Sequence, residues 1–252
     1  MSIRSWMVTA GVVCAMAATA SAEWERTVSA WDTQLPDQGK TQASLWASYT
    51  EYDTGPLDSD DWFATAYLTY GIQDNWSVAL APSFLDWSAG NVSESGFSDL
   101  GLLSTYRFQE ETEAAAGMAV QGRISLPTGD EDKGLGSGHV EPGVALLGSM
   151  PVGAITLVGN VGGDLILDAD KFEEDFVAYG SLEAIYDLNE QVSLNGVLSA
   201  ATARLERGDE IVDVGVGSRI KPSEQLFVVG AVYACLTDAY DWSLQIAAGY
   251  EF

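Results

Sequence analysis

Hydrophobic and polar positions alternate along most of this chain. In the C-terminal stretch "DWSLQIAAGYEF", Trp242, Leu244, Ile246, Ala248, Tyr250 and Phe252 share one face, and Ser243, Gln245, Ala247, Gly249 and Glu251 share the other. A period of two residues is that of a strand whose two faces meet different surroundings. "IVDVGVGSRIK" sets Val212, Val214, Val216 and Ile220 against Asp213, Gly215, Gly217, Arg219 and Lys221, and "ITLVGNVGGDL" sets Ile155, Leu157, Val161 and Leu165 against Thr156, Asn160 and Asp164. The pattern predicts twelve strands, over 41–52, 62–72, 75–87, 97–108, 114–127, 138–150, 154–167, 174–187, 190–203, 209–221, 225–236 and 241–252.

The gaps between these strands alternate as well. Short turns such as "QDN", "PVG" and "LNE" take turns with longer, more acidic connections. No run after residue 22 is apolar for the length a membrane helix requires. Tight turns at one end, longer loops at the other and an even strand count point instead to an all-β fold, a transmembrane antiparallel up-and-down β-barrel of twelve strands. Aromatic positions fall at two levels. Tyr70, Trp76, Phe108, Tyr186, Tyr250 and Phe252 lie beside short turns or the terminus, and Trp62, Trp87, Phe176 and Trp242 lie near the opposite strand ends. Two girdles are expected where a barrel crosses the membrane interfaces, whereas a soluble β-sandwich would scatter its aromatics among its strands.

The beginning of the chain reads differently. Arg4, the apolar run "SWMVTAGVVCAMAATA" and the small residues Ala20, Ser21 and Ala22 have the order of a secretory signal, which predicts cleavage between Ala22 and Glu23. Residues 23–40 show no clear period and are expected to form a periplasmic leader or a small plug, with the barrel over 41–252. Cys14 would leave with the signal, so Cys235 would have no intrachain partner and stability must come without a disulfide. The formal net charge is −26, which argues against nucleic acid as a partner. The acids concentrate in turn-like segments such as "PLDSDDW", "QEETE" and "DKFEEDF", as solvated loops do.

Three stretches carry a family resemblance. "SDLGLLSTYRFQEE" followed by "GRISLPTGDEDKGLGSG", together with "YGIQDNWSVALAPSF", resembles the outer-membrane proteins of the MetA-pathway of phenol degradation family. The similarity runs from about Gly39 to Phe252. The terminal "AAGYEF", with Tyr250 and Phe252, resembles the C-terminal signal that the barrel-assembly machinery of Gram-negative bacteria reads. The resemblance implies a small porin-like barrel of the bacterial outer membrane that passes small, hydrophobic or aromatic solutes. It brings no catalytic set and no cofactor. Outer-membrane lipid and lipopolysaccharide are the surroundings it implies.

If the apolar face meets lipid, the opposite face lines the lumen. That face carries Asp99, Arg107, Arg123, Glu141, Asn160, Asp164, Glu183, Asp213 and Arg219 as candidate pore-lining residues. Two readings stand open: a charged constriction that selects solutes, or an ion-paired filling of a narrow lumen. The chain has one histidine, His139, which would have to serve any Ser-His-acid site with Glu141 and Ser125 or Ser137. No His-x-Ser arrangement occurs, and one histidine argues against a histidine-based metal centre. An enzyme is therefore not expected.

"SLPTGDEDKGLGSG", 125–138, lacks the spacing of a phosphate-binding loop. It matches a calcium loop only in part: Asp130 and Asp132 are in place as a weak cation site, but Gly134 replaces a ligand and Leu135 stands where the turn glycine belongs. An external loop is expected there. The resulting expectation is passive passage of small solutes; the alternative is a structural or surface-interaction barrel whose acidic outer loops bind cations.

Overall fold

The structure is a computed structural model that describes residues 26–28, 31–52, 59–205 and 208–252. The expected signal segment and the Ala22–Glu23 cleavage site lie outside these residues. Fourteen strand segments follow one another: β1 (Thr41–Tyr52), β2 (Ser59–Gln73), β3 (Trp76–Ala81), β4 (Ser83–Ala89), β5 (Val92–Phe97), β6 (Leu100–Gln109), β7 (Gly117–Leu126), β8 (Glu141–Val152), β9 (Ile155–Leu165), β10 (Phe176–Asn189), β11 (Val192–Ala201), β12 (Ile211–Ile220), β13 (Leu226–Cys235) and β14 (Trp242–Glu251). β3 and β4 both pair with β2, and they are one course interrupted at Pro82, which has no N–H to give a ladder. β5 and β6 continue each other across Ser98 and Asp99, pairing with β4 and β3. The fourteen segments are thus twelve strands. Since β1 pairs with both β2 and β14, the sheet closes into an antiparallel barrel. Closure gives the strands of the barrel wall hydrogen-bonding neighbours on both sides, as hydrocarbon surroundings demand, and only the β4–β5 hairpin extension leaves β5 paired on one side.

The alternation in sequence becomes the two faces of the wall. Along β14, Ser243, Gln245 and Ala247 are buried inside, while Trp242, Ile246 and Tyr250 are exposed outside. Leu45, Leu68, Leu146, Val161, Leu198, Val216 and Val232 continue this apolar outer surface around the barrel. So large an exposed apolar surface has no place in water; it fits lipid. Tyr70, Trp76, Phe108, Tyr186, Tyr250 and Phe252 are exposed near the short-turn end, and Trp62, Phe176 and Trp242 near the other.

Trp87 departs from its expected place in the outer girdle. It is 5% exposed and shares the inner face with Ser77, Ala79, Ala81, Ser83 and Leu85. The period of two runs unbroken through Pro82, so parity rather than distance from the turn decides its side. A second difference concerns 88–96, expected as a connection. There β4 and β5 extend as a hairpin turned by Gly90 (φ +61°) and Asn91. "SESG", 93–96, carries no apolar period because both of its faces are polar.

Candidate functional site: the occupied lumen

The interior is filled from both ends. At the short-turn end, residues 36–40 cross β2, where Gly39 N–H donates to the Gly71 carbonyl at 2.8 Å. A Cβ on Gly71 would overlap the Asp37 carbonyl oxygen, so only glycine admits this crossing. Residues 26–28 and 31–33 lie inside the barrel, with Val28 and Trp31 fully buried in a cluster with Trp46, Tyr67, Leu103, Leu147, Phe227 and Tyr233. Inward glycines give the segment room: a Cβ at Gly217 would come within 3.1 Å of Val28 Cγ2.

Polar contacts fix the segment in place. Val28 N–H donates to Glu183 Oε1 at 2.8 Å, and Asn195 Nδ2 donates both to the same oxygen and to the Arg26 carbonyl. Thr33 Oγ1 and Ser149 Oγ lie 2.6 Å apart. Arg26 joins Asp32, at 2.8 Å, to Glu111 of the β6–β7 turn, at 2.7 Å. Burial alone would lower the Arg26 pKa, but the charges and hydrogen bonds of Asp32 and Glu111 outweigh it and raise it. For Glu111, burial acts upward, yet hydrogen bonds from Arg26 and Ser149 and the charge of Arg26 hold its carboxyl below the ordinary value.

Further along the interior, Arg123 donates to Asp164, its Nε reaching Oδ1 at 2.6 Å and its Nη2 reaching Oδ2. The guanidinium carbon also stands 5.0 Å from the Trp31 ring and 4.4 Å from the Tyr179 ring, within cation–π range of both. A buried ion pair is stable only when its geometry and additional contacts offset desolvation, and this one has both.

The outer end is roofed by the acidic glycine loop, 127–140. A short 3₁₀ turn, Glu131–Lys133, ends at Gly134 in the left-handed region. The turn directs Leu135 downward, where it is 3% exposed against a cluster of Tyr52, Phe63, Leu85, Trp87, Ile211 and Tyr240. Asp99, at the break between β5 and β6, anchors this roof. Its carboxylate accepts from Gly129 N–H at 3.0 Å, Ser137 N–H at 2.7 Å and Ser137 Oγ at 2.8 Å. Trp87 Nε1 donates to the Lys133 carbonyl. Beneath the roof lies a cavity of about 120 Å³. Its wall is mainly apolar, from Phe63, Tyr67, Leu85, Leu103 and Leu135, and Trp31, Arg123 and Asp164 complete it. Trp31 Nε1 and the nearby Tyr179 hydroxyl have no hydrogen-bond partner among the described residues.

The structure therefore divides the candidate pore-lining residues into groups. Arg123 meets Asp164, and Glu183 meets the N-terminal segment. Glu141 accepts both Arg204 Nη atoms, at 2.6 and 3.0 Å. For Arg204, burial acts downward, but the hydrogen bonds and charges of Glu141 and Glu173 raise its pKa. Asn160 donates to Ser181 at 2.7 Å, Asp213 accepts from Ser199, and Arg219 is buried near the short-turn end. Asp99 holds the roof. Arg107, near the end of β6, reaches the β2–β3 turn, its Nη2 donating to the Asp74 carbonyl, away from the others. Ser137 Oγ gives its proton to Asp99 and accepts from the His139 backbone N–H rather than meeting the imidazole; the imidazole lies 3.0 Å from Glu173. Asp130 stands 3.7 Å from Lys133, and Tyr250 packs its ring against Phe252. Trp31, Leu135, Tyr179 and Arg204 escaped sequence reasoning. Only Leu135, a single leucine amid acids and glycines, offered a signal.

A model of the family described as MetA-pathway of phenol degradation matches residues 25–238. The chain belongs to this family. Among solved structures it is similar to an outer membrane channel from Pseudomonas putida F1, with TM-score 0.69 and 16% identity over 90% of this chain and 100% of that one. It is similar to the KdgM porin crystallised with disordered oligogalacturonate, with TM-score 0.54 and 6% identity over 83% of this chain and 99% of that one. The transport unit of the autotransporter AIDA-I from Escherichia coli also matches, with TM-score 0.58 and 9% identity over the whole of both chains. A search of curated proteins finds no match. At these identities the likenesses establish the fold, which is that of outer-membrane β-barrels, and the family membership agrees with it.

Proposed function

We propose that this barrel is a passive route across the bacterial outer membrane for small solutes with a hydrophobic or aromatic body. The observation that carries the reading is the 120 Å³ cavity between the N-terminal segment and the roof loop. Its apolar wall, which includes the Trp31 ring, suits an uncharged ring or short hydrocarbon. The buried pairs Arg123–Asp164 and Glu141–Arg204 narrow the path. No covalent step enters this account. The apolar outer face meets outer-membrane lipid, with lipopolysaccharide around the longer loops, and Tyr250 and Phe252 present the C-terminal assembly signal. The rival reading, a structural or surface-interaction barrel, predicts no flux.

Uptake by proteoliposomes tests the proposal. Refolded protein should carry a single-ring aromatic solute into vesicles faster than a hexose of similar mass. Uptake of neither above protein-free vesicles would overturn the transport reading, and preferential hexose uptake would overturn the solute class.

A further inference from the structure

Three loops meet at the outer mouth. The roof loop contributes His139, the β9–β10 connection contributes Asp170 and Glu173, and the β11–β12 connection contributes Arg204. Donor atoms of His139, Asp170 and Glu173 lie within 4.8 Å of one another. The imidazole Nε2 is 3.0 Å from Glu173 Oε2, and both side chains are nearly buried, at 11% and 7% exposure. We propose that these three residues bind a single divalent transition-metal ion, with Zn²⁺ the best fit.

The surroundings distinguish this cluster from a solvated group of acids. Glu173 is oriented twice: its Oε1 accepts from Arg204 Nε at 3.4 Å, and its Oε2 accepts from Asp170 N–H at 3.2 Å. Glu174 N–H donates to the Arg204 carbonyl, and a bridge joins Glu173 to Leu205, so the backbone beneath the cluster is tied across loops. Arg204 gives both of its Nη atoms to Glu141. Glu141 and Glu173 therefore share one guanidinium, and Asp170 adds a third carboxylate beside Glu173, so acids outnumber the paired cation at this cluster. Lys171 Nζ lies over the Phe172 ring, 5.4 Å from its centroid. A divalent cation is the charge this arrangement lacks.

The donor set selects the ion. One imidazole nitrogen with two carboxylate oxygens leaves the fourth tetrahedral position to water, a pattern Zn²⁺ accepts. Calcium and magnesium prefer six or more oxygen ligands and gain little from imidazole. Bound metal would fasten the roof loop to the β9–β10 loop and hold the cavity shut. This inference is independent of the transport reading, because binding is measured without any flux.

Isothermal titration of metal-stripped, refolded protein in detergent with ZnCl₂, CaCl₂ and MgCl₂ tests it. One Zn²⁺ per chain is expected, bound at least tenfold more tightly than either alkaline-earth ion. His139→Ala should weaken Zn²⁺ binding at least tenfold. Asp170→Asn, which changes an exposed side chain and leaves the packing alone, should do the same in direction. Asp130→Asn should leave affinity unchanged. Absence of stoichiometric Zn²⁺ binding by the wild-type chain overturns the site. So does full affinity in a correctly folded Asp170→Asn or His139→Ala variant, as judged by heat-modifiable gel mobility.

Discussion

The backbone N–H of Val28 donates to the fully buried carboxylate of Glu183 at 2.8 Å, across 155 residues of sequence. Through this contact a strand in the middle of the wall holds the beginning of the described chain inside the lumen. Asn195 shares the carboxylate, so the contact belongs to a small network. Glu183→Ala removes a charge-assisted acceptor and leaves the Val28 and Asn195 donors unpaired, which costs about 2–3 kcal/mol. Urea unfolding in lipid vesicles should show the loss, and single-channel current should rise as the segment loosens. Unchanged current with reduced stability would mean that the segment stays seated without this clamp.

Asp99 plays the corresponding part at the outer end. Asp99→Ala deletes three hydrogen bonds to the roof loop, a loss of roughly 3 kcal/mol localised at the loop. The barrel should remain folded while limited proteolysis within 127–140 accelerates at least tenfold. Leu135→Ala should act in the same direction by withdrawing the apolar side chain from the cluster around Trp87. Equal cleavage rates in the wild type and both variants would show that the roof is held elsewhere.

The N-terminal contact with Glu111 carries a pH dependence whose sign is fixed. The folded chain holds the Glu111 carboxyl below its ordinary value of 4.5, so docking gains from its charge above that pH. The gain is lost as the pH falls below 4.5 and through the lowered folded value. Hydrogen exchange of the 26–40 peptide, corrected for intrinsic rates, should lose protection over that interval. Glu111→Gln should remove the pH step, with protection already low at neutral pH.

The wall was legible in the sequence for a physical reason. Lipid outside and packed polar groups inside impose opposite demands on successive residues, so β12 and β14 state their register outright. The hairpin of β4 and β5 meets no such contrast, and "SESG" hid there as a connection. Trp87 was placed by its distance from a turn, where parity decides the side. The interior was less legible because its contacts join distant segments. Nothing in "EWERTVSAWDTQLPDQGK" says that Trp31 will stand against the Arg123 guanidinium and the Tyr179 ring, since a segment packed on all sides keeps no period. The roof was missed for a similar reason: one leucine in a polar loop has no pattern, and its burial follows only from the cluster that receives it. Glu141 was recognised as an inward acid, but its partner Arg204 lies on a loop.

Gly217 tests whether the wall is shaped around the segment. Gly217→Val would drive branched carbons toward Val28 and Ala231. It should lower thermal stability and raise conductance together, whereas the same change at Gly230, where an added Cβ meets nothing within 4 Å, should alter neither by a comparable amount.

The most direct test of an occupied lumen is single-channel recording in planar bilayers, comparing the wild-type chain with a variant lacking residues 26–33. The wild type should show small conductance, and the shortened chain, still heat-modifiable and inserted, should conduct at least threefold more. Equal conductance in the two proteins would contradict the claim that the segment restricts passage.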